Sequence, residues 1–148
     1  VEIAGVESRK LKIQRIVSSY AATAIGQAKF YVNKRSTVCT GGTAVTGTPV
    51  KFNSLQTQTS SAVCRHFTAN PTVGTLVGQV RAVAVTSEGV NATPQSDNGY
   101  KTIYEHNPEN GPLQLNTAAE TITIDAGGVI PGGTAPTVSF SIEYTEEP

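Results

Sequence analysis

Tryptophan and methionine are absent, cysteine and histidine occur twice each, and charged residues make up only 15% of the chain. Each shortage closes a route. Two cysteines in 148 residues fall short of the density of a small secreted disulfide scaffold. Cys39 and Cys64 are therefore expected as free, partly buried thiols; the alternative, one disulfide, requires their Cα atoms to lie within about 7 Å. No apolar run approaches the ~20 residues of a membrane-spanning helix, and no basic start leads into an apolar core as in a signal peptide. The chain begins at Val1, a start that removal of an initiator Met or of a longer leader would equally leave. Eleven basic and eleven acidic residues balance, which argues against nucleic acid or a membrane surface as a partner.

What is present is the texture of many short strands. Thr, Ser, Ala, Gly and Val fill the spaces between brief apolar bursts, and β-branched residues suit a pleated, half-buried surface. At this length the chain reads as one domain able to bury a core without a metal or a disulfide. Alternation predicts strands over 9–17, 27–34, 50–55 (with Val50 and Phe52), 61–68, 79–87, 100–105, 120–126 and 136–147. The segment 79–87 (QVRAVAVTS) is the most continuously apolar and is expected at the centre of a sheet. The short run 113–115 resists assignment. Turn chemistry predicts loops at 36–49, 88–99, 106–112 and 127–136, while 18–26, rich in Ala and ending in Gly26, reads equally as a helical turn or a loop between strands. Seven to nine strands with almost no helix predict an all-β, antiparallel β-sandwich with a jelly-roll-like winding. Residues 1–8 are expected as an N-terminal arm, mobile or docked on a partner, ahead of a single domain over 9–148.

The charges are polarised along the chain. Ten basic and two acidic residues lie in 1–81, against one basic and nine acidic residues after it. The closing strand PTVSFSIEYTEE carries Val138, Phe140, Ile142 and Tyr144 on one face. It is expected beside 9–17, where Leu11, Ile13 and Val17 share a face, so that Lys10, Lys12 and Arg15 meet Glu143, Glu146 and Glu147. Either the two halves neutralise each other within one subunit, or oppositely charged faces meet between neighbouring subunits.

Chemistry-bearing clusters do not stand out. Cys64 and His66 share a strand face, with Cys39 and His106 as distant candidates for zinc, but no close ligand spacing such as C-x-x-C supports a site. His66 or His106 with Asp97 or Asp125 could orient a nucleophile, yet no local turn selects one serine. Glu105 and Glu109 flank a proline turn and read as solvated acids. Asn91-Ala92-Thr93 matches a glycosylation acceptor and reads as coincidental beside Pro94. No enzyme activity, cofactor or metal is expected. Candidate partner-binding residues are Val1, Glu2 and Ile3 on the arm, Asn91 and Asp97 on the long 88–99 loop, and Tyr20, Tyr31 and Tyr100 as aromatic anchors.

The opening RKLKIQRIVSSYAATAIGQAKFYV, the Gly-Gly loops and the closing GGTAPTVSFSIEYTEE resemble small virion proteins of tailed bacteriophages, particularly the β-sandwich proteins that decorate or cement the head. The resemblance implies a non-enzymatic virion structural protein, made in the host cytoplasm and bound at the capsid surface. It further implies the major capsid protein or other virion proteins as partners, and a homo-oligomer, with a trimer favoured. The alternative is a receptor- or carbohydrate-binding fibre or adhesin module.

Overall fold

The period-two pattern at the end of the chain becomes a strand, and its partner is the one that the alternation and the charges require. The computed structural model describes residues 1–21, 26–52, 55, 57–87, 101–109, 111–127 and 137–148. Its strands are β1 (Glu2–Ala4), β2 (Lys10–Ala21), β3 (Gly26–Arg35), β4 (Thr43–Gly47), β5 (Val63–Ala69), β6 (Leu76–Ser87), β7 (Lys101–Glu105), β8 (Leu113–Leu115), β9 (Thr121–Ala126) and β10 (Thr137–Glu147). The protein is all-β, with two antiparallel sheets. One sheet runs β4-β5-β1-β9-β3-β6; the other runs β10-β2-β7, with β8 also paired to β2. Residues from both sheets contribute to one apolar core, including Ile3, Phe30, Val32, Val85 and Ile122 from the first and Leu11, Ile13, Ile16, Tyr20 and Ile103 from the second.

β10 lies antiparallel along the whole of β2, from Thr137 opposite Ala21 to Glu147 opposite Lys10. Val138, Phe140, Ile142 and Tyr144 pack against the core, as the alternation predicts. Phe140 meets Phe30 of the other sheet edge to face, ring centroids 5.3 Å apart, a geometry worth about 0.5–1.5 kcal/mol beyond burial alone.

The face of β2 changes phase midway. Arg15 lies opposite Glu143 and Ile13 opposite Tyr144, so Gln14 has no opposite residue on β10. Such a bulge shifts every later side chain by one position. Leu11 and Ile13 are buried before it, and Ile16, Ser18 and Tyr20 after it. Val17, expected on the face of Leu11 and Ile13, is therefore only half-buried. The Gln14 carbonyl accepts the His106 N–H at 2.8 Å, where the partners along that edge of β2 change from β8 to β7.

Four other expectations are corrected. The expected arm 1–8 supplies β1, which pairs with β5 on one side and β9 on the other. Among the described residues it links β4-β5 to β9-β3-β6 in the strand order. β2 continues to Ala21, through the start of 18–26, expected as a helical turn or a loop, because Tyr20 reaches the core opposite Val138. Residues 50–55 form no strand among the described positions. Lastly, among the described residues β6 is an edge strand paired with β3 alone, although its apolar run reads as central. Val85 is buried and Val83 packs on the core, whereas the alternating positions Ala82 and Ala84 are small and need no covering layer.

The phase shift is open to a direct test. Truncating fully buried Ile16 to Ala is expected to cost about 2–5 kcal/mol, and Val17→Ala under about 1 kcal/mol, both read from urea unfolding. Equal losses would place both side chains on one face and contradict the bulge.

Candidate interaction surface

Alternation sends Ile3 and Ile122 into the core and their neighbours Glu2 and Thr123 to the opposite face of the six-stranded sheet. There Glu2 is 0% exposed, which a carboxylate tolerates only when it is paired and hydrogen-bonded. It accepts the Cys39 N–H at 2.8 Å and an ion-paired hydrogen bond from the Arg65 guanidinium. One strand pair away, buried Arg35 donates to Thr123 Oγ1 at 2.9 Å, to the Gly74 carbonyl at 2.7 Å and to Asp125 Oδ2 at 2.7 Å. Asn33 Nδ2 shares that Asp125 oxygen at 2.7 Å.

The cover over this face comes from segments flanking β4–β5. The backbones of Thr40 and Thr72 exchange hydrogen bonds of 2.9 and 2.8 Å. Gly74 packs so closely that a Cβ there would lie 1.8 Å from the Thr37 carbonyl oxygen. Burial pushes the Cys39 thiol up, as do Glu2's charge and hydrogen bond, against the lowering effect of the Gly74 backbone and Arg35. Burial likewise pushes Cys64 up. Both cysteines are free and stay protonated near neutrality, the unreactive form. This cluster ties β1 and β3 to the segments that cover the sheet.

A second polar device joins the two sheets at the far end of β10. Glu146 lies opposite Leu11 and reaches the segment entering β5. It accepts from Arg9 Nη1 at 2.9 Å, from the Ser61 N–H at 3.1 Å and from the Ala62 N–H at 3.2 Å, as well as from the Ser60 hydroxyl. The Ser60 and Tyr144 hydroxyls are 2.8 Å apart. Burial alone would raise the Glu146 carboxyl pKa, but the Ser60, Arg9, Ala62 and Ser61 donors together outweigh it and hold it below its ordinary value.

These contacts account for the charge polarity. Arg9–Glu146, Lys12–Glu147, Arg15–Glu143, Lys34–Glu120 and Arg35–Asp125 each join a base from the first part of the chain to an acid from the second. The two ends therefore neutralise each other within one subunit, and the asymmetry needs no neighbour to balance it.

The residues expected to bind partners are not brought together. Val1 is half-buried and its amino group donates to the Ile124 carbonyl at 3.1 Å. Glu2 and Ile3 are enclosed in the sheet, and Tyr20 is 0% exposed, so these three cannot dock on another molecule. Tyr31 is half-buried and its ring packs close to Gly127. Asn91, Asp97 and Tyr100 lie outside the described residues. Among the described residues, no three His, Cys, Asp or Glu side chains are placed to hold a metal ion.

Exposed apolar side chains mark a different surface. Val50 and Phe52 are 88% and 87% exposed just beyond edge strand β4. At the opposite edge, Leu76, Val77 and Val80 of β6 are also exposed. β6 skips two positions in its pairing with β3, which leaves Val77 and Val80 without opposite residues. A long edge strand with apolar side chains is a template for association unless something covers it. The sequence signal was available in both stretches, since Val50 and Phe52 alternate and β6 is apolar. Alternation, however, predicts only that an apolar face will be covered, whether by the same chain or by another. Compared with known proteins, the chain matches no family model, no curated protein and no solved structure.

Two substitutions test the polar devices. Arg65→Ala leaves the Glu2 carboxylate enclosed without its cation and is expected to cost about 3 kcal/mol in urea unfolding; a change within about 0.5 kcal/mol would contradict the buried pair. Because the Glu146 pKa is lowered on folding, its contribution is present above the ordinary carboxyl value of 4.5 and is lost as pH falls through the lower folded value. Glu146→Gln is therefore expected to lower stability at neutral pH and to flatten the stability loss below pH 4.5. An unchanged acid slope would count against the clamp.

Proposed function

We propose that this protein is a non-enzymatic structural protein of a bacteriophage virion, one that decorates or cements the capsid lattice. The observation that carries this reading is the six-stranded sheet, whose two edges, β4 and β6, each pair on one side only among the described residues and have exposed apolar side chains on or near them. Unpaired edges with apolar flanks suit continuation by another protein. Six ion pairs close within the chain and its formal net charge is zero, so shape and apolar contact, not a strong field, would select the partner. The resemblance of the opening and closing segments to head-decoration proteins supplies the capsid as the assembly, with the major capsid protein or another virion protein as the surface bound. In this reading the two sheets are the layers of a β-sandwich, and the jelly-roll-like winding expected from the strand pattern belongs to the same proposal.

Co-sedimentation with empty capsids, run beside a glycan-binding screen, tests the reading. Binding to capsids and to no glycan is the expected result. Glycan binding without capsid binding would replace it with the fibre or adhesin alternative.

A further inference from the structure

Residues 57–62 lead into β5 without joining either sheet, and the last three of them are held by one carboxylate of the opposite layer. The Ser60 hydroxyl, the Ser61 N–H and the Ala62 N–H all donate to Glu146 of β10. Among the described residues, the other hydrogen bonds of this strap run to the Tyr144 hydroxyl at 2.8 Å and, within the strap, from the Ala62 N–H to Ser60 Oγ at 3.3 Å. Its buried apolar anchor is a single methyl group, that of Ala62. A ladder strand divides its hold among many acceptors. This strap concentrates it on one group that a proton can neutralise.

We propose that Ser60–Ala62 is an acid-released latch: protonation of Glu146 frees the strap from β10 while both sheets stay folded, and uncovers Tyr144 and the neighbouring Cys64. An ionised carboxylate is acceptor-only on both oxygens, whereas the protonated acid turns one oxygen into a donor. One proton therefore weakens every strap contact together. Burial raises the Glu146 carboxyl, but the Ser60, Arg9, Ala62 and Ser61 donors outweigh it and hold the group below its ordinary 4.5. The latch is thus fully engaged above pH 4.5 and is lost as pH falls through the lower folded value.

The groups around Glu146 leave that carboxyl as the sensor. Residues 57–62 carry no titratable side chain. Arg9 on one side and Lys12, paired with Glu147 beside it, are bases, whose charge acid does not remove. The Glu147 pair joins β10 to β2 within one sheet and does not touch the strap. Burial pushes the Tyr144 hydroxyl and the Cys64 thiol up, so both keep their protons in acid. His66 is exposed on β5, and a histidine gains its charge at higher pH than a carboxylate. Release is local because β5 remains paired with β1 and β4. The inference does not rest on the capsid reading.

Labelling of the full chain with a pyridyl disulfide, which stays reactive in acid, tests it, with each site resolved by peptide mass and each rate divided by that of free cysteine at the same pH. Cys39 is the internal control, since its N–H is bonded to Glu2 inside the larger sheet. Both thiols are expected to label slowly from neutrality down to pH 4.5. Below it Cys64 is expected to accelerate, by about tenfold for each unit by which folding lowers the carboxyl, while Cys39 stays slow. Glu146→Gln is expected to label fast at Cys64 at neutral pH, with no further step in acid. Glu143→Gln, which removes the carboxylate facing Arg15, is expected to keep the parent's profile. A parent whose Cys64 rate stays flat, or rises already above pH 4.5 where His66 would be the sensor, overturns the latch. Acceleration of Cys39 in step with Cys64 marks opening of the whole sandwich and overturns it equally. A Glu146→Gln chain that keeps the acid step overturns the role of that carboxylate, and the parent's own profile decides the matter if the variant unfolds.

Discussion

The larger sheet depends on a fully buried carboxylate, that of Glu2. β1 has only three residues, yet it lies between β5 and β9, and without it the sheet would divide into β4-β5 and β9-β3-β6. So short a strand has little ladder of its own. Its place is secured by Ile3 in the core and by Glu2 on the other face, where the Cys39 N–H and the Arg65 guanidinium converge. Removing a partner from a buried charge costs more than a well-made pair contributes. The network therefore acts chiefly as a condition that the segments carrying residues 39 and 65 must meet.

The same logic explains why the charges do little at the surface. The polarity along the chain brings its two ends together. Lys12 and Arg15 on β2 pair with Glu147 and Glu143 on β10, and Arg9 pairs with Glu146. The partly exposed pairs are each worth about 0–1 kcal/mol and help set register. Glu146 differs because it turns toward the other sheet and gathers backbone and hydroxyl donors there.

Much of the architecture was legible where a period could run. The alternation of 136–147 predicted the core face of β10, and the opposite charges predicted its partner. The bulge at Gln14 was less visible, although the three-residue step from Ile13 to Ile16 is its trace. β1 was hidden because three residues cannot establish a period and a Glu at position two reads as solvated until its partners at 39 and 65 are known. Tyr20 illustrates the same limit: its aromatic ring suited an interface as well as a core, and only the shifted phase of β2 places it inside. For β6, an apolar run could not distinguish a central strand from an edge awaiting a partner. For Val50 and Phe52, alternation implied a covering surface without saying which molecule provides it.

The claim that the first residues are the centre of the sheet, while β6 is its open edge, can be measured by native-state hydrogen exchange on the free chain. The amides of Glu2–Ala4 and of β9 are expected to exchange only through global unfolding, and those of the Leu76–Val80 stretch that face outward are expected to exchange orders of magnitude faster. Rapid exchange across Glu2–Ala4, as in a frayed terminus, would contradict the account.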